Sequence, residues 1–108
     1  MSAQEEAFQL FPVLLAGCSA LCADFGRPIA IPLAIYDTDD DLAVLRPEDA
    51  AVWSAAFHRE VMIELERMLA GAGFTVTLKP VDAGAYLGWL AVHTRTNTPA
   101  SRAAFIRM

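Results

Sequence analysis

Two cysteines and a charged fraction of only 19% bound what this 108-residue chain can be. So little cysteine excludes a disulfide-stapled secreted scaffold. Cys18 and Cys22 stand one helical turn apart, on a shared face if the segment is helical. A redox or zinc pair would need the C-x-x-C spacing that the chain lacks, so both are read as free thiols, a residue type that is commonly buried. Positive charge is scarce as well. The net charge is −5, with nine acids against two arginines in residues 1–49. Such a chain repels phosphate backbones, and direct nucleic-acid binding has no electrostatic support. Glycine-rich phosphate loops, HExxH, GxSxG, internal repeats and low-complexity tracts are all missing. No catalytic motif is evident, and no cofactor is expected.

Long unbroken apolar runs are also missing. Pro12, Gly17, Ser19 and Asp24 interrupt the N-terminal stretch, which falls short of the ~18 consecutive apolar residues of a membrane span. Leu15-Ala16-Gly17-Cys18 is similar to a lipoprotein cleavage box. The preceding Met1 to Gln9 carries Glu5 and Glu6 and no basic residue, whereas a signal peptide carries a positive n-region. The expectation is a cytoplasmic protein without a membrane partner.

What the chain has in excess is apolar side chains, 56% of the total, against a usual ~45–50%. The length fits a single domain over residues 1–108. A domain this small has too much surface to hide that excess, and exposed apolar patches mark interfaces. The composition therefore points to a small intracellular interaction protein, bound to itself as a homodimer or to another protein.

Local signals outline the elements. Ser2-Ala3-Gln4-Glu5 reads as a capping box, starting a helix at Ala3 that Pro12 kinks or restarts and Gly26 stops. Ile29 to Tyr36 reads as a strand, with Pro32 confining it to an edge or a bulge. Asp37-Thr38-Asp39-Asp40-Asp41 reads as a turn and Leu42–Leu45 as a second strand, together a hairpin. The clearest helix runs from about Glu48 to Ala70, with Ala55, Phe57, Val61, Met62, Leu65, Met68 and Leu69 on one apolar arc. Phe74–Leu78 alternates as a third strand. Residues 83–94 suit either a helix capped by Asp82 or a fourth strand, and their aromatic content favours the strand. Thr98-Pro99 opens a last helix. The fold class predicted is α+β: a three- or four-stranded, mainly antiparallel sheet, mixed if a helical crossover intervenes, packed by two or three helices in the order α-β-β-α-β-(β or α)-α.

Four groups of residues are candidates for function. Asp37, Asp39 and Asp41 fall at positions 1, 3 and 5 of an EF-hand pattern, with Glu48 at position 12. Leu42 stands where that loop needs glycine, and Pro47 crowds the exit. The same residues mimic the strand-plus-DxD start of haloacid-dehalogenase-type phosphatases, in a chain too short for that fold. A metal-dependent hydrolase using this turn is one alternative function. His58 lies inside the apolar arc and is expected to be neutral there, either as a core residue bonded to a backbone carbonyl or Tyr36, or lining a pocket with Cys18 or Cys22, Trp53 or Trp89, where a Cys–His nucleophile pair would need hydrogen-bond reach. The segment His93 to Thr98 joins His93 and Arg95 to a helix N-terminus, a combination that suits an anion. A small-ligand or anion-binding domain with its pocket near His58, Trp89 and Arg95 is therefore the other alternative. Val52 and Ile63 form a second apolar stripe on the long helix and are interface candidates.

Overall fold

Residues 2–107 are described by the computed structural model, and they form six helices and a two-stranded sheet, an α+β arrangement. Ser2 opens α1 (Ala3–Phe25), its hydroxyl accepting the Glu5 N–H at 3.1 Å. Gly26 closes it at φ 67°, a left-handed conformation that costs glycine nothing. The helix runs through Pro12 instead of restarting there. Two strands follow the expected segments, β1 (Ala30–Ile35) and β2 (Thr75–Pro80). They pair in parallel, Ala30 opposite Thr75 and Ile35 opposite Pro80.

The larger, mainly antiparallel sheet is not formed, because two segments read as strands are helices. Leu42–Leu45 is the end of α2 (Asp39–Leu45). Thr38 accepts the Asp41 N–H at 3.1 Å, and Asp39, Asp40 and Asp41 fill the first turn, where the helix dipole favours carboxylates. The acidic turn is thus a helix start. Residues 83–92 form α5 (Ala83–Val92): Asp82 accepts the N–H groups of Gly84 and Ala85, each at 3.2 Å. That cap outweighs the weak helix propensity of Gly84 and Gly88. The long helix expected from Glu48 is divided into α3 (Pro47–Ala50) and α4 (Ala55–Gly71). Ser54 restarts it by accepting the Phe57 N–H at 3.1 Å. The last helix, α6 (Pro99–Arg107), begins where expected, with Thr98 Oγ1 accepting the Ser101 N–H at 3.1 Å.

Two apolar clusters hold these elements. Ala7 and Cys18 of α1 meet Ile31 and Leu33 of β1 and Val61, Leu65 and Leu69 of α4. Tyr36, Leu42, Leu45, Ala55, Val81, Tyr86 and Leu90 form the second, joining the ends of both strands to α2 and α5. The result is a slab of 38 × 37 × 17 Å. A body so thin leaves apolar surface outside. Only 6% of the most apolar stretch of α1 is buried, and Phe8 and Val13 stand 72% and 78% exposed. By length and composition alone α1 could cross a membrane, a test that core helices and signal sequences also pass.

Both strands carry a proline, and the ladder places both on its outside. The Ile35 carbonyl accepts the Val81 N–H at 2.9 Å, so Ile35 faces β2. Backbone groups alternate sides along a strand, which turns Ala30, Pro32 and Ala34 to the outer edge of β1. The same alternation turns Pro80 to the outer edge of β2. The edge position expected of Pro32 is the one observed.

Candidate functional site

A trench runs along the outer edge of β1 between α1 and α6. It consists of three contiguous cavities of about 490, 370 and 320 Å³, all of which share Pro32 and Ile106. Leu14 and Leu21 of α1 supply one wall, and Ile106 the other. The 370 Å³ cavity, at the Tyr36 end, gathers the polar groups: Tyr36, Arg46, Asp49, Trp53 and His58 all line it. Each is there for a local reason. Tyr36 follows β1 directly, Arg46 and Asp49 flank the start of α3, and Trp53 and His58 bracket the Ser54 cap of α4.

His58 is 4% exposed, and burial holds its pKa below the ordinary histidine value, against the opposing pull of Asp49. Its Nε2 lies 3.9 Å from Asp49 Oδ2, outside hydrogen-bond range. The Asp49 carboxylate is engaged by Arg46 Nε at 3.0 Å, and Glu48 lies 3.5 Å from the same nitrogen. The His58 ring sits 5.2 Å from Tyr36 and 6.0 Å from Trp53, centroid to centroid. Tyr36 is 1% exposed, and burial pushes its hydroxyl up to about 12. Both the Tyr36 hydroxyl and His58 Nδ1 are buried without a hydrogen-bond partner.

The sequence candidates are thereby sorted. His58 and Trp53 share a cavity, whereas Trp89, His93 and Arg95 line none of the three. Those three form their own group at the end of α5. The Arg95 guanidinium lies 5.2 Å over the Trp89 ring, and His93 packs 5.1 Å from it. His93 Nδ1 is 2.9 Å from the Trp89 carbonyl, and the Arg95 N–H donates to Leu90 O at 2.9 Å. These contacts close the C-terminus of α5, with Thr94 in the left-handed region at φ 52°. Thr98 meanwhile fills the N-terminus of α6 with its own side chain.

The aspartates do not converge. Asp39 Oδ1 accepts the Ala55 N–H at 2.7 Å, Asp41 Oδ1 accepts the Ala83 N–H at 3.1 Å, and Asp37 reaches Arg59 at 3.5 Å. Among the described residues no three His, Cys, Asp or Glu side chains are grouped to hold a metal ion. Cys18 and Cys22 are free thiols. Burial, and next the Cys22 thiol, raise the Cys18 pKa. Cys18 lines the 490 Å³ cavity but not the one that holds His58. Val52 and Ile63 are exposed. Sequence reasoning overlooked Arg46, Asp49 and Ile106 as lining residues; the pairing of Arg46 with Asp49 one helical turn later was the available signal.

What this arrangement offers chemically is binding: apolar walls with a few buried polar groups at one end. No known family model matches the sequence, and no curated protein is significantly similar to it.

Proposed function

We propose that the protein is a small cytoplasmic interaction protein that acts as a homodimer through the exposed face of α1. The observation that carries this reading is that an apolar helix of 23 residues is docked on the domain with only 6% of its most apolar stretch fully buried, Phe11, Leu14, Leu15 and Leu21 being half-buried against the core. Phe8, Leu10, Val13 and Phe25 are its exposed large apolar side chains, and exposed apolar surface of this kind marks interaction sites. The broad face of the slab has room for the ~800 Å² per partner of a standard interface. Glu5, Glu6 and Asp24 are the charged residues of α1, so an anionic bilayer repels this face and a protein surface suits it better. A second copy presents the same apolar helix and satisfies the requirement symmetrically.

Light scattering at tens of micromolar should give the mass of two chains, and Val13→Asp should return it to one. A wild-type protein that stays monomeric would overturn the reading. The anion-binding alternative draws no support from Arg95, which stacks on Trp89 away from His58. The hydrolase alternative draws none from Asp39 and Asp41, whose carboxylates are bound to helix starts.

A further inference from the structure

The Tyr36 and His58 rings lie 5.2 Å apart in the wall of one cavity, and the hydroxyl of the first and Nδ1 of the second are both buried without a partner. Buried polar groups are ordinarily satisfied, so two orphans on side chains that line one cavity call for a cause. Their chemistry is complementary. Burial keeps the Tyr36 hydroxyl protonated, leaving it a proton to donate. Burial also keeps His58 neutral. The Asp49 carboxylate, 3.9 Å from Nε2, favours the imidazole proton on that nitrogen and leaves Nδ1 an acceptor. One donor and one acceptor on neighbouring rings match a single ligand group that both accepts and donates, which is a hydroxyl. An ionised group has no counterpart here. Arg46, the cation lining this cavity, already faces Asp49 and Glu48, and an unpaired charge is costly to desolvate. The remaining lining, including Leu14, Pro32, Met62 and Ile106, is apolar, and about 370 Å³ is within the range of small-molecule sites.

We infer that this cavity binds a small, uncharged, apolar molecule carrying one hydroxyl, an alkanol or a phenol, with the hydroxyl bridging Tyr36 and His58. Both orphan atoms are closed off from solvent, so seating the hydroxyl takes a rotation of one of the two side chains. Neither orphan atom gives up a hydrogen bond in that rotation. Every group named belongs to one chain, and Leu10 and Val13 of the exposed α1 face also line this cavity, so the site adjoins the proposed dimer face.

Trp53 lies in the cavity wall and reports its occupancy. In a Trp89→Phe background, which leaves Trp53 the only tryptophan, the fluorescence probes are n-octanol and phenol. Their controls are n-octyl methyl ether, anisole and octanoate. At least one alcohol should give a saturable response. Binding should weaken about tenfold for its methyl ether, and again about tenfold for the alcohol in Tyr36→Phe, the scale of one hydrogen bond. Octanoate at neutral pH should bind less well than n-octanol. Tighter binding of octanoate would overturn the uncharged class. Equal binding of ether and alcohol, or undiminished binding to Tyr36→Phe, would overturn the hydroxyl bridge. No saturable response to either alcohol would overturn the site. Tyr36→Phe removes one oxygen and keeps the ring, so the fold is retained. Nitrogen-15 shifts of the His58 ring on adding n-octanol to wild type give a second readout, free of the tryptophan substitution, and an unmoved Nδ1 resonance at saturation would also overturn the bridge.

Discussion

The Asp39 carboxylate accepts the backbone N–H of Ala55 at 2.7 Å, tying the first turn of α2 to the first turn of α4. Two residues on, Asp41 does the same for Ala83 at the start of α5, at 3.1 Å. The acidic segment is therefore a clamp that supplies acceptors to two helix N-termini besides its own, each of which would otherwise hold an unsatisfied donor.

Removing a clamp acceptor should cost what losing a helix cap costs. Asp39→Ala and Asp41→Ala should each destabilise by about 1–2 kcal/mol in urea unfolding. Asp37→Ala, whose partner Arg59 is shared with solvent, should change stability by less than about 0.5 kcal/mol. Calcium or magnesium should leave the wild-type melting temperature unmoved; a shift abolished in Asp39→Ala would assign the carboxylates to a metal.

His58 should make stability fall on the acidic side of neutrality. Its folded pKa is lowered from 6.5, chiefly by burial. As pH drops below 6.5 the unfolded chain takes up a proton that the folded one resists, and stability is lost. His58→Leu should flatten the stability curve between pH 7.5 and 5, followed by denaturant midpoints. His58→Ala should cost about 2–4 kcal/mol at pH 7.5, the scale of a core truncation.

Tyr36 sets the matching limit on the alkaline side. Its hydroxyl is raised from 10 to about 12 by burial, which outweighs the opposing Arg46 charge. The stability it supports is complete below pH 10 and declines as pH rises from 10 toward 12, by on the order of 2–3 kcal/mol. Tyr36→Phe should remove that decline, and tyrosinate absorbance should show one fewer late-titrating ring.

Gly88→Ala distinguishes a helix from a strand in the α5 region. Gly88 lies inside α5, and a methyl group built there meets nothing within 4 Å. Alanine should stabilise the protein by roughly 0.5–1 kcal/mol, measured by thermal unfolding. A neutral or destabilising result would count against the helix.

The parts of this fold legible in the sequence are those whose signals are local and unambiguous. Ser2 with Glu5, Gly26, and Thr98 before Pro99 marked helix ends that the structure reproduces, and the β-branched runs around Ile31 and Val76 became strands. Thr38 to Asp41 was misread because the same short side-chain acceptors serve turns and helix caps alike. The partners that decide the matter, Ala55 and Ala83, lie far along the chain. Tyr86 and Trp89 suggested a strand through their β preference, which the Asp82 cap and burial of Tyr86 and Leu90 override. The burial of His58 followed from the helical period. Its neighbour Asp49 did not, since tertiary packing brings it there, and Tyr36, expected as an alternative hydrogen-bond partner, packs against the ring without bonding it.

The outward-facing prolines bear on how the protein survives at high concentration. A two-stranded sheet is all edge, and unpaired strand edges recruit strands from other molecules into growing fibrils. At Pro32 and again at Pro80 the outer edge lacks one of the donors that an incoming strand would pair with. Each rim of the sheet thus carries its own obstacle to strand-by-strand polymerisation.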